Sequence, residues 1–403
     1  MRNGIQSFQP ARMLQAREAR GLTQAALASM TAKSPPTISK WEGGTQMPEA
    51  AALTALSRAL AVPEDFLLRP MPNFGDTPYF FRSNAKITNE AQSIAKRRLE
   101  WLNEISLSLQ DWVDWPAVNV PKLGCGDHRK LTDSDIEKFA GECRRHWNLG
   151  NGPIEDVVLL LENAGTICVR ETLGYDRMDG VSRWFENDCR PYVFLSADKA
   201  NGVRSRFDTA HELAHLVLHW AVSSIDYVRQ PELERQAHLF AGAFLLPAET
   251  FAAEVSFPSM DSFLTIKPRW KTSVAAMIMR CKQLNVIDDA YAQRLWKNYS
   301  ARGWRKGEPS DDSIQFETMR LLPRAVKIIT DSSNISRSGL LDRIGLGSGD
   351  AASLCSLPEG YFEPPATVIN LSATVRLRKS ENNSTQASAN ILSFPTNTRS
   401  KFP

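Results

Sequence analysis

The sequence has no long hydrophobic run. None of its 403 residues belongs to an uninterrupted apolar stretch of 18, and no secretory leader precedes the first predicted helices. A helix needs about 20 largely apolar residues to cross a bilayer, and a secretory signal needs its own apolar segment. We therefore expect a protein that neither spans a membrane nor is secreted, with a cytoplasmic location.

Cysteine is scarce and irregularly spaced. The six cysteines include no CxxC pair, the spacing typical of zinc ribbons and of redox sites. Six thiols in a chain of this length are also too few for a scaffold held together by disulfides. The sequence excludes that class of protein and predicts free thiols in a reducing compartment.

An excess of charge of one sign is also absent. The 48 basic and 45 acidic residues leave a formal net charge of +3. A dedicated nucleic-acid binder usually has a strong basic bias, so charge alone does not decide whether this chain binds DNA. We see no internal repeat, and the length fits two or three domains with ample core.

One short motif indicates a chemistry. His211-Glu212-Leu213-Ala214-His215 reads HExxH and lies in a largely apolar run, residues 210–220, that predicts a buried helix. Residues four apart share a helix face, so the two histidines can bind one zinc ion together. Glu212 then lies beside the metal. In zinc peptidases of this pattern, that carboxylate takes a proton from the attacking water and passes it to the leaving amine.

A third protein ligand must come from elsewhere, because a catalytic zinc usually has three protein ligands and one water. The metzincin pattern is excluded, since Leu218 and Ala221 stand where it requires Gly and His. His219 lies about 12 Å along the helix from His211, which is too far for one ion. We interpret His219 as a structural residue or an outer hydrogen-bond partner of the site.

Residues 231–247 supply two candidates for the third ligand. They begin with Pro231 and acidic residues and continue as an amphipathic pattern that ends at Pro247, which predicts a second helix. Glu234 and His238 share one face of this helix. An antiparallel return after a short loop brings that face against the first two histidines. We favour Glu234 as the ligand, with His238 otherwise steadying the water or the substrate.

The similarity to known sequences extends well beyond the motif. It covers about residues 135–310, with the clearest matches at residues 179–182, 190–195, 206–219, 234–241, 245–247, 264–270 and 303–309. These stretches resemble the ImmA/IrrE family of metallopeptidases. The resemblance implies that His211, His215 and Glu234 bind Zn²⁺ and that Glu212 is the general base. His238 stands where relatives often carry Asn, and we place it next to the ligands rather than among them.

The N-terminal region carries a second pattern. Five short helices are predicted there, with Thr23 and Ser34 as N-caps of the second and third. The third helix tolerates Pro35 and Pro36 in its first turn and ends at a pair of glycines.

Residues 10–70 resemble the Xre/lambda-repressor helix-turn-helix family. The clearest matches are Leu22-Thr23-Gln24, residues 37–42 and Pro48. The resemblance implies that the helix from Ser34 lies in the major groove, while the start of the preceding helix holds phosphate. The residues it assigns to DNA contact are Gln24, Ser34, Thr37, Ser39 and Lys40. Pro35 and Pro36 stand where relatives often place Gln or Ser, which removes hydrogen-bond donors.

Phosphate binding by this region depends on few cations. The candidates are Arg12, Arg17, Arg20, Lys33 and Lys40. They suffice for modest binding, of the kind that a dimer on two half-sites requires. We therefore expect a homodimer on an operator.

The rest of the chain completes the predicted organisation. Residues 90–113 predict a long amphipathic helix. Residues 166–171, 180–185 and 192–196 predict strands of a small sheet whose edge could hold an extended peptide.

The domains that we predict are a helix-turn-helix domain at 1–72, a helical linker at 73–130, a metallopeptidase domain at 131–310, a helical C-terminal extension at 311–376 and a disordered tail at 377–403.

The predicted fold is α+β and mostly helical. A five-helix helix-turn-helix domain precedes a zincin-like metallopeptidase domain with a small β-sheet and a helical extension. The predicted function is a DNA-binding regulator with zinc-dependent endopeptidase activity that cleaves a helix-turn-helix repressor, or itself, and so derepresses stress, phage or mobile-element genes. The alternatives are a non-catalytic regulator with a structural or sensing zinc, and an antitoxin-like protein or scaffold that acts through contacts alone.

Overall fold

The computed structural model describes residues 4–82, 88–124, 127–175, 178–199, 201–223, 231–333 and 335–363. Every structural statement below refers to these residues, which cluster into one unit. The predicted disordered tail, residues 377–403, lies outside them. No helix in the described ranges is both long and apolar enough to cross a membrane.

The N-terminal region forms the five short helices that the sequence predicts. They are α1 (Pro10–Ala19), α2 (Gln24–Met30), α3 (Pro35–Glu42), α4 (Ala50–Leu60) and a final 3₁₀ turn (Glu64–Leu67). The hydroxyls of Thr23 and Ser34 accept hydrogen bonds from the backbone N–H groups of Ala26 and Thr37, which confirms both N-caps.

A four-stranded sheet forms the middle of the molecule. Its strands are β1 (Phe80–Arg82), β2 (Ile167–Glu171), β3 (Gly180–Phe185) and β4 (Arg190–Ser196). Their order is β1-β3-β4-β2, with β2 parallel to β4 and the other two pairs antiparallel. Three strands match the predicted runs within two residues. The fourth, β1, was not predicted, because three residues are too few to show a period of two.

The predicted long helix and the helices of the metallopeptidase region surround the sheet. They are α5 (Asn89–Leu109), α6 (Asp133–His146), α7 (Val157–Asn163), α8 (Gly202–Leu218), α9 (Pro231–Leu245), α10 (Ala248–Glu254), α11 (Met260–Trp270), α12 (Val274–Gln283) and α13 (Asp289–Ala301). Helix α8 packs on β3 and β4, and α9 packs on α8.

Three C-terminal helices follow: α14 (Leu321–Ser332), α15 (Arg337–Ile344) and α16 (Ser348–Leu354). Helix α14 begins at Leu321. Pro323 therefore lies in the first turn, where its missing N–H has no intrahelical partner to lose, and it does not split the helix.

The sheet separates two hydrophobic cores. Tyr192 and Phe194 on β4 face a core that α5 shares with the helix-turn-helix region and α14 to α16. Their neighbours Val193 and Leu195 face a second core formed mainly by α6 to α13. This alternation follows from the opposite faces that successive strand residues occupy. The predicted domain boundaries stay predictions, and the first core is continuous across three of them.

Helix α1 docks on α5 largely through charged side chains. Arg12 pairs with Glu104 at 2.7 Å, and Arg97 pairs with Glu18 at 2.8 Å. The two helices lie on opposite sides of the boundary predicted at residue 72. The helix-turn-helix region is thus held against the rest of the chain by its own first helix.

A buried ionic network links four parts of the fold. Arg98 on α5 donates to Glu171 on β2 and to Asp350 on α16, and Asp350 also accepts from Arg20 at the end of α1. Arg98, Glu171 and Asp350 are each less than a tenth exposed. Their charges are taken out of water, so each depends on its partners.

Replacing Arg98 with methionine is expected to lower the free energy of unfolding by about 3–5 kcal/mol, because Glu171 would stay buried without a cation and Asp350 would keep only Arg20. Urea denaturation followed by circular dichroism measures the change. The matched control is Arg343→Met, since Arg343 is 62% exposed and pairs with the exposed Asp111. That control should lose at most about 1 kcal/mol. Equal losses in the two variants would contradict a stabilising role for the network.

Candidate metal centre

Two packed helices bring the predicted ligands together. Helix α8 is buried along most of its length, and His211 and His215 occupy successive turns of it. Glu234 lies in the first turn of α9. The three side chains form a group of potential metal ligands, with the histidines buried and the carboxylate a third exposed.

The spacing of the donor atoms fits one zinc ion. His211 Nε2 lies 3.2 Å from His215 Nε2. Of the two Glu234 carboxylate oxygens, Oε2 lies 3.3 Å from His211 Nε2 and Oε1 lies 3.4 Å from His215 Nε2. Ligands at about 2.0–2.1 Å from a tetrahedral zinc are about 3.3 Å from one another. The triad therefore matches three corners of a tetrahedron and leaves the fourth for a small molecule.

Glu212 lies beside the triad in a protein pocket of its own. Its side chain is fully buried, and neither carboxylate oxygen has a hydrogen-bond partner among the residues described. Burial raises the pKa of this carboxyl well above its usual value. A Cβ atom at Gly180 would lie only 2.8 Å from Glu212 Oε1, so β3 leaves room for the carboxylate by having a glycine there.

An open pocket of about 440 Å³ leads to the triad and is lined by His211, Glu234, His238, Arg82 and Met279, among others. The last three also line a neighbouring groove of about 960 Å³. The metal centre thus opens onto a continuous surface depression large enough for a peptide segment.

His238 lies at this pocket, as its place on the face of Glu234 predicts. Its ring is 6.1 Å from the ring of His211 and 4.8 Å from that of Phe207. Partial desolvation at the pocket wall and the positive charge of Arg82 lower the pKa of this exposed side chain below its usual value. The cluster of potential ligands comprises Glu234 and not His238.

The short strand β1 contributes two residues that sequence reasoning missed. The ring of Phe80 stacks on His215, with centroids 4.8 Å apart. Arg82 pairs with Asp208, which lies one turn before His211 on α8. Both come from a segment far from α8 in the sequence, and no local pattern points to their place. The segment that follows the helix-turn-helix region therefore forms part of the wall of the metal centre.

The predicted DNA contacts fall into two groups. Ser34, Ser39 and Lys40 are exposed on α3, and Thr37 is half-buried with its hydroxyl 2.8 Å from that of Ser34. Gln24 instead donates to Glu42 at 2.7 Å, which directs its amide towards the protein. Four of the five side chains thus share the outer part of α3.

The expected set of phosphate-binding cations needs correction. Arg12 and Arg20 pair with Glu104 and Asp350, as described above, and Arg17 pairs with Glu42 at 2.5 Å. These arginines serve the packing of α1. Lys33 and Lys40 remain exposed. The sequence could not separate the two roles, because a cation's partner is set by the fold and not by its neighbours in the chain.

The fold and the site define a protein that joins a helix-turn-helix head to a second region with a cluster of three potential metal ligands. Comparison with family models agrees: residues 13–67 match the helix-turn-helix model, and residues 169–282 match the model of the IrrE N-terminal-like domain. Both resemblances found in the sequence are confirmed. A search of curated proteins found no match.

Proposed function

We propose that the protein is a DNA-binding regulator with zinc-dependent endopeptidase activity, and that it cleaves a helix-turn-helix repressor or its own chain. One observation carries the proposal: the histidine nitrogens and the carboxylate oxygens of the His211, His215 and Glu234 cluster, 3.2–3.4 Å apart, lie next to the unpaired, buried carboxylate of Glu212. The helix-turn-helix head in the same chain supports a role in gene regulation.

The chemistry follows from the placement of Glu212. A zinc ion held by His211, His215 and Glu234 would supply Lewis acidity to a peptide carbonyl and to the attacking water. Glu212 takes a proton from that water as its oxygen bonds to the carbonyl carbon. The same carboxyl then gives the proton to the amide nitrogen as the C–N bond breaks, which leaves an acid and an amine. His238 and Arg82 line the pocket in which the peptide lies.

A catalytic role is favoured over a structural or sensing zinc by two features. A structural site is usually closed by four protein ligands, whereas the described part of the chain supplies three ligands to this cluster, which faces an open pocket. A structural site also has no use for a buried, unpaired carboxylate next to the metal. Burying such a group is costly and indicates a function.

Cleavage of a repressor can be tested directly. The zinc-loaded protein is incubated with each helix-turn-helix repressor encoded in the same genome, and mass spectrometry follows the intact masses of both partners. We expect one repressor, or the chain itself, to be cut at a single bond, and a chelator to stop the reaction. A full set of uncut repressors and an uncut chain, with zinc bound, would contradict the proposal.

DNA binding is proposed for the exposed face of α3, in a homodimer on two half-sites of an operator. Two exposed lysines in one head give weak phosphate attraction, so a second copy is needed for useful affinity. The site stays accessible although α1 is docked on α5, since Ser34, Ser39 and Lys40 are exposed.

Replacing Lys40 with alanine is expected to weaken binding to all duplexes by a similar factor. The loss of one phosphate contact in each head should also reduce the salt dependence of the affinity by about one unit of slope per head. Fluorescence anisotropy at several salt concentrations measures both effects. Lys297→Ala on α13 is the control, because Lys297 is also an exposed lysine but lies on another part of the chain. An unchanged slope in the Lys40 variant would place the DNA surface elsewhere.

A further inference from the structure

A line of hydrogen bonds leads away from the metal centre behind His215. His215 Nδ1 lies 2.9 Å from His219 Nδ1, and His219 Nε2 lies 3.0 Å from Gln236 Oε1. The Gln236 amide nitrogen donates to the backbone carbonyl of His128 at 2.8 Å and to Glu232 Oε1 at 3.1 Å. The line of hydrogen bonds thus runs from α8 to α9. It ends at the His128 carbonyl and the Glu232 carboxylate, which accept hydrogen bonds and do not donate them.

The partners of the Gln236 side chain determine which atom donates and which accepts in each hydrogen bond of the line. Both partners of the Gln236 nitrogen are oxygens, and the opposite orientation of the amide would place oxygen against oxygen. Gln236 Oε1 therefore accepts a hydrogen bond from His219 Nε2–H. In neutral His219, Nδ1 then carries no proton and can accept a hydrogen bond from His215 Nδ1–H. His215 is left with an unprotonated Nε2, the nitrogen that faces His211 and Glu234.

We propose that His219 and Gln236 are positioning residues that hold His215 in the tautomer and ring orientation needed to bind the metal. The inference rests on the metal site of the proposed function. Outer partners of this kind fix the tautomer of a metal-binding histidine. His219 and Gln236 are fully buried, and their hydrogen bonds connect them to His215, so they act through His215.

Two further observations support this arrangement. Phe80 covers His215 with nearly parallel rings, at an interplanar angle of 9°, which restrains the ring on its face while His219 restrains it at its edge. By contrast, Nδ1 of His211 has no hydrogen-bond partner among the described residues. The line therefore makes the two histidines of the motif unequal, with His215 the more firmly held.

The test measures Zn²⁺ affinity by competition with a chromophoric chelator. His219→Leu, which removes the acceptor, is expected to bind Zn²⁺ about 10–100-fold more weakly than wild type. His219→Asn keeps an oxygen near the position of Nδ1, so its affinity is expected to stay close to that of wild type. Gln236→Met leaves His219 in place but removes the acceptor that holds the proton on His219 Nε2. This second variant tests the same proposal if His219→Leu fails to fold.

A second readout reports the tautomer itself. Nitrogen-15 NMR of the metal-free protein should show the proton of His215 on Nδ1 in wild type and in His219→Asn, and a mixture of tautomers in His219→Leu and Gln236→Met. Unchanged tautomer and affinity in a folded His219→Leu or Gln236→Met protein would overturn the proposal. Failure of wild type to bind Zn²⁺ at all would instead refute the proposed function. The tautomer in the metal-free protein would still test the hydrogen-bonded line.

Discussion

Replacing Glu212 with glutamine is expected to lower the rate of peptide cleavage by about 10²–10⁴-fold, the contribution of a positioned general base. Glutamine has nearly the same shape and fits the space beside Gly180, but its amide cannot take a proton from water. Glu212 is outside the cluster of ligand atoms formed by His211, His215 and Glu234. Zinc content should therefore be unchanged, which separates loss of the base from loss of the metal.

The measurement compares new protein N-termini in the host by mass spectrometry, with wild type and variant expressed at equal level under DNA damage and under oxidative stress. A cut that appears with wild type and disappears with Glu212→Gln identifies the substrate. Glu249→Gln is the matched control, since Glu249 is an exposed glutamate on the nearby helix α10. Identical N-termini under every stress, with zinc bound in all three proteins, would favour the non-catalytic regulator.

The part of the site that could be predicted from the sequence is local. His211 and His215 are one helical turn apart, and a single apolar run places both on a buried helix whatever the rest of the chain does. The second helix was likewise evident from its periodicity and its flanking prolines, which put Glu234 and His238 on one face. Both have a donor atom, so the sequence favoured Glu234 without excluding His238, and the family resemblance then implied Glu234.

The part that could not be predicted depends on contacts between distant segments. Arg82 and Phe80 reach the metal centre through a strand of three residues, whose pairing with β3 leaves no periodic signal. Gln236 was unremarkable in the sequence, since its role appears only when α9 lies against His219. The role of Arg98 was also invisible in the sequence, because its two carboxylate partners lie on β2 and α16 and come near α5 only in the folded chain.

Removing the third ligand is the second change with a large expected effect. Glu234→Ala leaves two histidines for the ion, so Zn²⁺ affinity should fall by more than the roughly 10–100-fold that loss of an outer hydrogen-bond partner costs. Peptide cleavage should disappear with the metal. The fold should survive, because the Glu234 side chain is a third exposed and its main contacts are with the two histidines. Isothermal titration with Zn²⁺ measures the affinity.

Thermal unfolding gives an independent measure, since a ligand that binds the folded state stabilises it by about 2.7 kcal/mol at a hundred times its dissociation constant. Zinc should raise the melting temperature of wild type and leave that of Glu234→Ala unchanged. His238→Ala is the informative control, because His238 shares the face of Glu234 and was the other candidate ligand. That variant should keep the zinc-dependent rise. If zinc instead raised the melting temperature of Glu234→Ala and not that of His238→Ala, the third ligand would be His238, and Glu234 would be a neighbour of the metal.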